Sequence, residues 1–224
     1  MAERPARRRL SQSERENQII QATIRIVAER GYAAASLEAV AEVAGVSKGL
    51  ISHYFGGRET LMRRTAEEAL GEIRRAVADS VDMYAPLPQV LRETILAAAL
   101  LPQNHAARLR ALQQIVLNLR DSEGAQIFTV HDYEDTYASQ EEMFRRGQDS
   151  GDIRSDLDPR ILAVSYQGAV DGMLAYLDAH PSVDPHHYAA QFATAFLEGL
   201  QSVADTIPDN HPRRKLLPPN HGGK

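Results

Sequence analysis

Two short apolar-periodic segments meet at Gly45-Val46-Ser47, and that junction restricts the chain more than any other stretch in it. Before it, Ser36 can cap a helix that turns Leu37, Val40, Ala41 and Ala44 inward. Gly45 breaks that helix, and Ser47 offers a cap for a second one, on which Ile51 and Phe55 fall on one side. Two helices joined by so short a turn make a helix-turn-helix, with the first bracing the second through Leu37, Val40, Ala41, Val46 and Ile51. Ser47, Lys48, Gly49, Ser52 and His53 are left outward, near the front of the second helix.

Helical signals run through the rest of the chain. Ser13…Glu16 reads as a capping box, with Ser11…Glu14 as an alternative, ahead of Ile19, Ile20, Thr23, Ile26 and Val27. Gly31 closes that run as a natural helix end. After Gly56-Gly57 a long helix carries Met62, Ala66, Leu70, Ile73, Val77 and Val81, and Pro86 and Pro88 end the region. Further helical patterns cover about 89–101, 105–120, 123–149, 159–179 and 185–205. No strand alternation and no internal repeat stands out. The expectation is an all-α chain: a disordered basic arm over 1–10, a helix-turn-helix domain over 11–57, a helical body over 58–207 and a disordered tail over 208–224.

Composition removes several function classes. No cysteine is present among 224 residues, which excludes disulfides and thiolate metal sites and makes the cytoplasm the simplest compartment. The longest apolar run, Ile95–Leu101, is far short of the ~20 residues that span a bilayer, and no apolar stretch follows the first arginines as a signal peptide requires. His180, His186 and His187 gather near Asp178 and Asp184, but adjacent histidines on a helix point about 100° apart, so loop or helix-start roles outweigh a metal site. No cofactor motif is present. The overall charge of -5 hides an asymmetry: residues 1–64 hold eleven Lys/Arg and seven Asp/Glu, net +4, and the remainder is at -9. A basic head on an acidic body points to a polyanion partner for the head.

Ser47, Ser52 and His53 supply a hydroxyl and an imidazole, yet no nucleophile elbow surrounds either serine, and a serine at a helix start is ordinarily a cap. A surface that reads DNA uses the same residues better. A helix fits the major groove, and its N-terminal residues reach base edges. Lys48 can donate to guanine O6 and N7, Gly49 allows close backbone approach, and Ser52, His53 and Tyr54 can donate to phosphates. Tyr54 can equally belong to the core. Arg58 adds charge at a helix start, where anions are favoured. Arg7, Arg8 and Arg9 either enter the adjacent minor groove or stay a solvated tail.

The stretch G-V-S-K-G-L-I-S-H-Y-F, followed by Gly57-Arg58-Glu59-Thr60-Leu61 and preceded by Gly31-Tyr32 and Ser36-Leu37-Glu38-Ala39-Val40-Ala41, resembles the signature of the TetR family of bacterial transcriptional repressors. Met143-Phe144-Arg145-Arg146-Gly147, Gly151-Asp152-Ile153, Asp156–Pro159 and Asp171-Gly172 resemble the second half of that family's ligand-binding domain. The I-S-H-Y-F ending is most similar to the choline-responsive repressors of betaine synthesis. One departure stands out: many members carry an aromatic where Ser52 stands and a threonine where Leu50 stands. The first phosphate contact is therefore shortened or lost, and the threonine's base contact becomes an apolar contact with a thymine methyl. The resemblance implies groove reading by Lys48, Gly49 and Leu50, phosphate contacts from Ser36, Ser52, Tyr54 and Arg58, and either role for His53.

The resemblance also implies a small-molecule effector, a homodimer on a pseudo-palindromic double-stranded operator, and no membrane partner. Among polar residues inside the body's apolar patterns, Gln113, Tyr133, Tyr137, Tyr166 and Asp171, with Leu117, are the candidate effector residues, and Tyr133, Glu134, Asp135, Tyr137, Tyr166 and Asp171 together suit a cation. Gln114, Asn118, His131 and Gln167 belong to the same polar set. Helix 159–179 has a small-residue face of Ser165, Gly168, Ala169 and Gly172, and helix 185–205 offers Phe192, Phe196 and Leu200. Those residues either pair with a second subunit in a four-helix bundle or cover the body's own core. An all-helical small-molecule-binding protein or enzyme without sequence-specific DNA binding is the alternative reading of the whole chain.

Overall fold

A computed structural model gives the fold and describes residues 11–201. The arm over 1–10 and the tail over 208–224 lie outside the described residues. Among the described residues ten helices follow one another: α1 (Gln12–Arg30), α2 (Leu37–Ala44), α3 (Lys48–Phe55), α4 (Arg58–Ala78), α5 (Leu87–Ala99), α6 (Leu101–Asn104), α7 (Ala106–Asn118), α8 (Glu134–Asp149), α9 (Pro159–Ala179) and α10 (Pro185–Leu200). Short 3-10 turns occupy Tyr32–Ala34 and Val130–Tyr133. The chain is all-α, and an isolated bridge between Arg120 and Gln126 is its one β-type pairing among the described residues.

Of the two capping boxes open to α1, the structure forms the earlier one. Ser11 Oγ accepts from Glu14 N, and the Glu14 carboxylate accepts from Ser11 N at 2.7 Å. The helical pattern over 123–149 yields a helix only from Glu134. Upstream of it, Asp121 Oδ1 accepts from the backbone N–H groups of Glu123 and Ala125, and Gly124 sits at φ +84°. A side chain that captures nearby backbone donors competes with the helix ladder and turns the chain instead.

Two apolar clusters hold the molecule. The N-terminal one gathers Ile19, Ile26 and Val27 of α1, Val40 and Ala44 of α2, Ile51 and Phe55 of α3, and Leu61, Met62, Ala66 and Ala69 of α4. Ala111, Ile115 and Leu119, from and just beyond α7, complete it. The buried hydroxyls of Thr23 and Thr65 donate to Ile19 O and Leu61 O one turn back, so neither is left unsatisfied there. The second cluster joins Ile73 of α4 to α5, α6, α8, α9 and α10, with Leu91, Ile95, Phe144, Ala163 and Tyr166 among its most buried members. Helix α4 therefore feeds both clusters, and α7 lies against α1 and α4. Where α8 meets the start of α5, a Cβ on Gly147 would fall 2.2 Å from Leu87 Cδ2, so only glycine lets the two elements approach so closely.

Candidate nucleic-acid interface and ligand site

Each turn of the N-terminal unit is built by its own residues. Ser36 Oγ caps α2 by accepting from Ala39 N at 3.1 Å, and Ser47 Oγ caps α3 by accepting from Leu50 N at 3.2 Å. The Ser47 hydroxyl keeps a proton to donate outward, whereas the Ser36 hydroxyl also meets the Glu38 carboxylate. Gly45 adopts the left-handed conformation, φ +64° and ψ 37°, that ends α2 and lets Val46 N reach Ala41 O. Ile51 and Phe55 are buried, which fixes the rotation of α3 and turns Lys48, Gly49, Ser52 and His53 to solvent. Leu50 and Tyr54 are half-buried, and the Tyr54 ring meets that of His53 edge-on at 5.5 Å. Seven of the nine residues expected to meet DNA thus lie on α3 or its cap, and Ser36 sits at the start of α2.

Arg58 stands apart from them. Its Nε donates to Ala35 O at 2.9 Å, its Nη2 donates to Tyr32 O at 2.7 Å, and the guanidinium lies 4.2 Å above the Tyr32 ring. Those donors tie the start of α4 to the turn before α2. Sequence reasoning missed Glu38, whose Oε1 accepts from Lys48 Nζ at 2.5 Å. That hydrogen bond holds the Glu38 carboxyl below the usual carboxylate range. The ten-residue spacing across the turn was the available signal, and it needs the fold to be read.

In the body, the six expected effector residues fall into two groups. Gln113 is half-buried on α7 and Leu117 is 63% exposed there. Of the other four, Tyr133, Tyr137 and Asp171 come together where α8 meets α9, while Tyr166 faces Phe144, Phe192 and Phe196. Tyr133 and Tyr137 stack with ring centres 5.7 Å apart. Tyr166 is buried, with its ring edge-on to Phe144 at 5.9 Å and its hydroxyl without a hydrogen-bond partner. Burial pushes the Tyr166 phenol well above the usual tyrosine range. Asp171 is half-buried, and that burial raises its carboxyl, against a smaller opposing effect of the hydrogen bond from Gln167. The Tyr133 phenol is raised by burial first and then by the charge of Asp171 and by Tyr137. Gln140 was missed, although it lies seven residues after Tyr133 and three after Tyr137, on one helical face.

The expected dimer residues also divide. Ser165, Gly168, Ala169 and Gly172 are all exposed on α9, alongside Ile161, Val164 and Tyr176. Phe192 is half-buried and helps line an open groove with Ala169, Gly172, Met173, Tyr176 and Tyr188. Phe196 turns inward to within ring contact of Phe144 and Tyr166. Leu200 departs from the expectation: it is 2% exposed, packed in its own subunit's core, with its carbonyl accepting from Arg154 N. A side chain with no surface left to bury adds nothing to an interface.

Residues 19–65 match the family model described as bacterial regulatory proteins of the TetR family. The chain carries a TetR-family N-terminal domain. BetI 2 of Chromohalobacter salexigens, an HTH-type transcriptional regulator, is 44% identical over 64 residues, which cover 29% of this chain and 31% of that protein. The chain spans between 31% and 43% of the length of the curated relatives it matches. Beyond that segment the likeness is one of fold. The fatty acid degradation regulator FadR from Bacillus halodurans superposes with a TM-score of 0.69 at 18% identity, covering 84% of this chain and 97% of that one. A regulatory protein of the TetR family from Rhodococcus RHA1 gives 0.66 at 20% identity, over 86% and 98% of the two chains.

Proposed function

We propose that this TetR-type chain is a ligand-responsive transcriptional regulator, a repressor that binds a pseudo-palindromic operator as a homodimer and leaves it when a small molecule occupies the body. The observation that carries the DNA-reading part is the rotation of α3. Burial of Ile51 and Phe55 presents Lys48, Gly49, Ser52 and His53 together at the front of a capped, exposed helix. Two such helices in a C2 dimer reach successive major grooves, ideally ~34–36 Å apart.

The exposed small-residue face of α9 and the groove beside α10 support pairing with a second copy. Glycine and alanine there let helices approach closely, and Ile161, Val164 and Tyr176 supply apolar area that is otherwise left in water. The path from body to head runs through shared packing. Ala111, Ile115 and Leu119 sit in the N-terminal cluster, Arg108 of α7 is ion-paired to Glu72 of α4, and α4 crosses both clusters. A ligand that binds better to one arrangement of α4 and α7 shifts the spacing of the two heads, with typical coupling of ~1–3 kcal/mol.

Selection of bound sequences from a random duplex pool tests this reading. A two-fold symmetric motif is expected. Recovery of no motif at low salt would favour the alternative of a helical binding protein or enzyme without sequence-specific DNA binding. No helix among the described residues is long and apolar enough to cross a membrane, and the proposed site of action is cytoplasmic DNA.

A further inference from the structure

Three side chains between α8 and α9 form a directed chain. Gln140 Nε2 donates to Gln167 Oε1 at 2.7 Å, and Gln167 Nε2 donates to Asp171 Oδ1 at 2.8 Å. Amide orientation is fixed here by chemistry. An ionised carboxylate only accepts, so Gln167 must turn its NH2 to Asp171 and its oxygen to Gln140. Gln140 must then spend its NH2 on Gln167. Its own Oε1 is left buried with no donor to meet it. A buried acceptor without a donor costs about 1–3 kcal/mol, which makes it a place that a donor fills to advantage.

The surroundings say what kind of donor. Among the described residues Asp171 has no ion-pair partner. The nearby guanidinium is already committed: Arg160 is paired with Glu134 at 2.6 Å and with Glu141 at 3.9 Å, and it lies 5.0 Å over the Tyr137 ring. Tyr133 and Tyr137 stack close enough to Asp171 for its charge to be felt at the Tyr133 phenol. Gln140 lies one turn before Phe144, whose ring touches buried Tyr166, and the unpartnered Tyr166 hydroxyl offers one more polar contact. An uncompensated carboxylate rejects anions. An acceptor that needs an N–H is not satisfied by a quaternary ammonium, which has none.

We propose that Gln140, Gln167 and Asp171, with Tyr133, Tyr137 and Tyr166, form the recognition end of the effector site and take a protonated organic amine bearing at least one N–H. The ammonium offsets Asp171, one N–H meets Gln140 Oε1, and the rings receive the ligand's apolar body. This rests on the effector reading given above, and it narrows that reading to one ligand class.

The test uses the full chain and four size-matched panels: primary and secondary amines, quaternary ammonium compounds, uncharged alcohols and carboxylates. Thermal stabilisation is measured first, without DNA. The expected result is stabilisation concentrated among the amines, roughly tenfold weaker binding once a hit is N-trimethylated, and a similar loss in Gln140→Leu and in Asp171→Asn. Asp171→Asn keeps an acceptor for Gln167, so it reads the charge rather than the chain. Stabilisation by no amine, equal stabilisation by quaternary or carboxylate compounds, or hits indifferent to both variants would overturn the proposal. DNA release is measured separately on the selected operator. An amine that needs Gln140 and Asp171 but leaves DNA bound upholds the site and overturns only its regulatory role. Absence of any operator defeats the DNA-binding reading and leaves the amine result standing.

Discussion

Lys48 Nζ lies 2.5 Å from the Glu38 carboxylate, so the lysine at the front of α3 is held by α2 before any DNA arrives. Both side chains are more than half exposed, so water screens the pair and it adds little net stability. On the proposed DNA-binding face, DNA can therefore take Lys48 from Glu38 at small cost, but the carboxylate stays on that same face.

Glu38→Gln is expected to tighten duplex binding by roughly two- to fivefold at moderate salt, in line with the small worth of an exposed pair. The slope of affinity against salt should steepen by about one contact. Fluorescence anisotropy on operator and on unrelated duplex measures both. Unchanged or weaker binding would mean that Glu38 orients Lys48 productively instead of competing for it.

Gly49 separates fold from function. A Cβ there would meet nothing nearer than Ser47 Oγ at 4.0 Å, so the free protein has room for a side chain. Gly49→Ala should stabilise α3 by up to about 1 kcal/mol through helix propensity. Operator affinity should fall at least roughly tenfold if the backbone at 49 approaches the groove floor. A variant that gains stability and keeps full affinity would remove Gly49 from the interface.

Arg58 leads to the opposite pattern. Two of its five N–H donors go to the carbonyls of Tyr32 and Ala35, the latter fully buried. Arg58→Gln should cost roughly 1–3 kcal/mol of stability, because carbonyls are left short of a donor. DNA binding should weaken through misplacement of α2 and α4, while its salt slope stays as in the wild type. A slope reduced by about one contact would restore Arg58 to the phosphate contacts.

Asp171 sets a pH dependence whose sign is fixed by burial. Its carboxyl is raised, so the folded state holds that proton more tightly than the unfolded chain does. That contribution to stability is present below the unfolded carboxyl pKa and is lost as pH rises through the folded one. At pH 7 the ionised side chain is a net cost. Asp171→Asn should therefore melt above the wild type at pH 7, with the gap closing on acidification, in thermal melts across the acid range. A variant that melts lower at pH 7 would show that the carboxylate has a cationic partner in the folded chain.

The helix-turn-helix was legible in the sequence because every signal there is local. Ser36, Gly45 and Ser47 act within four residues of themselves, and the period of Leu37, Val40, Ile51 and Phe55 fixes which face is buried. The inward turn of Arg58 was not legible, since it depends on carbonyls 23 and 26 residues away. In the body, helix periods were readable over 159–179, but the start of α8 was not, because Asp121 and Gly124 convert an apparently helical stretch into a turn. Leu200 shows the same limit for side chains. An apolar residue on a helix can face a partner or its own core, and only the folded packing, which leaves Leu200 2% exposed in the body's cluster, decides.

Gly168 gives the cleanest test of the second subunit. It lies exposed on α9, and an added Cβ would meet nothing within 4 Å of its own chain. Gly168→Arg should leave the subunit folded, and even favour the helix by nearly 1 kcal/mol. Across a close helix pairing the same change places two guanidinium groups where backbones approach, which costs packing and charge burial together. Sedimentation should then show a folded monomer, and operator binding should fall toward that of an isolated half-site. A dimer that survives the substitution would mean that α9 pairs through another face or not at all.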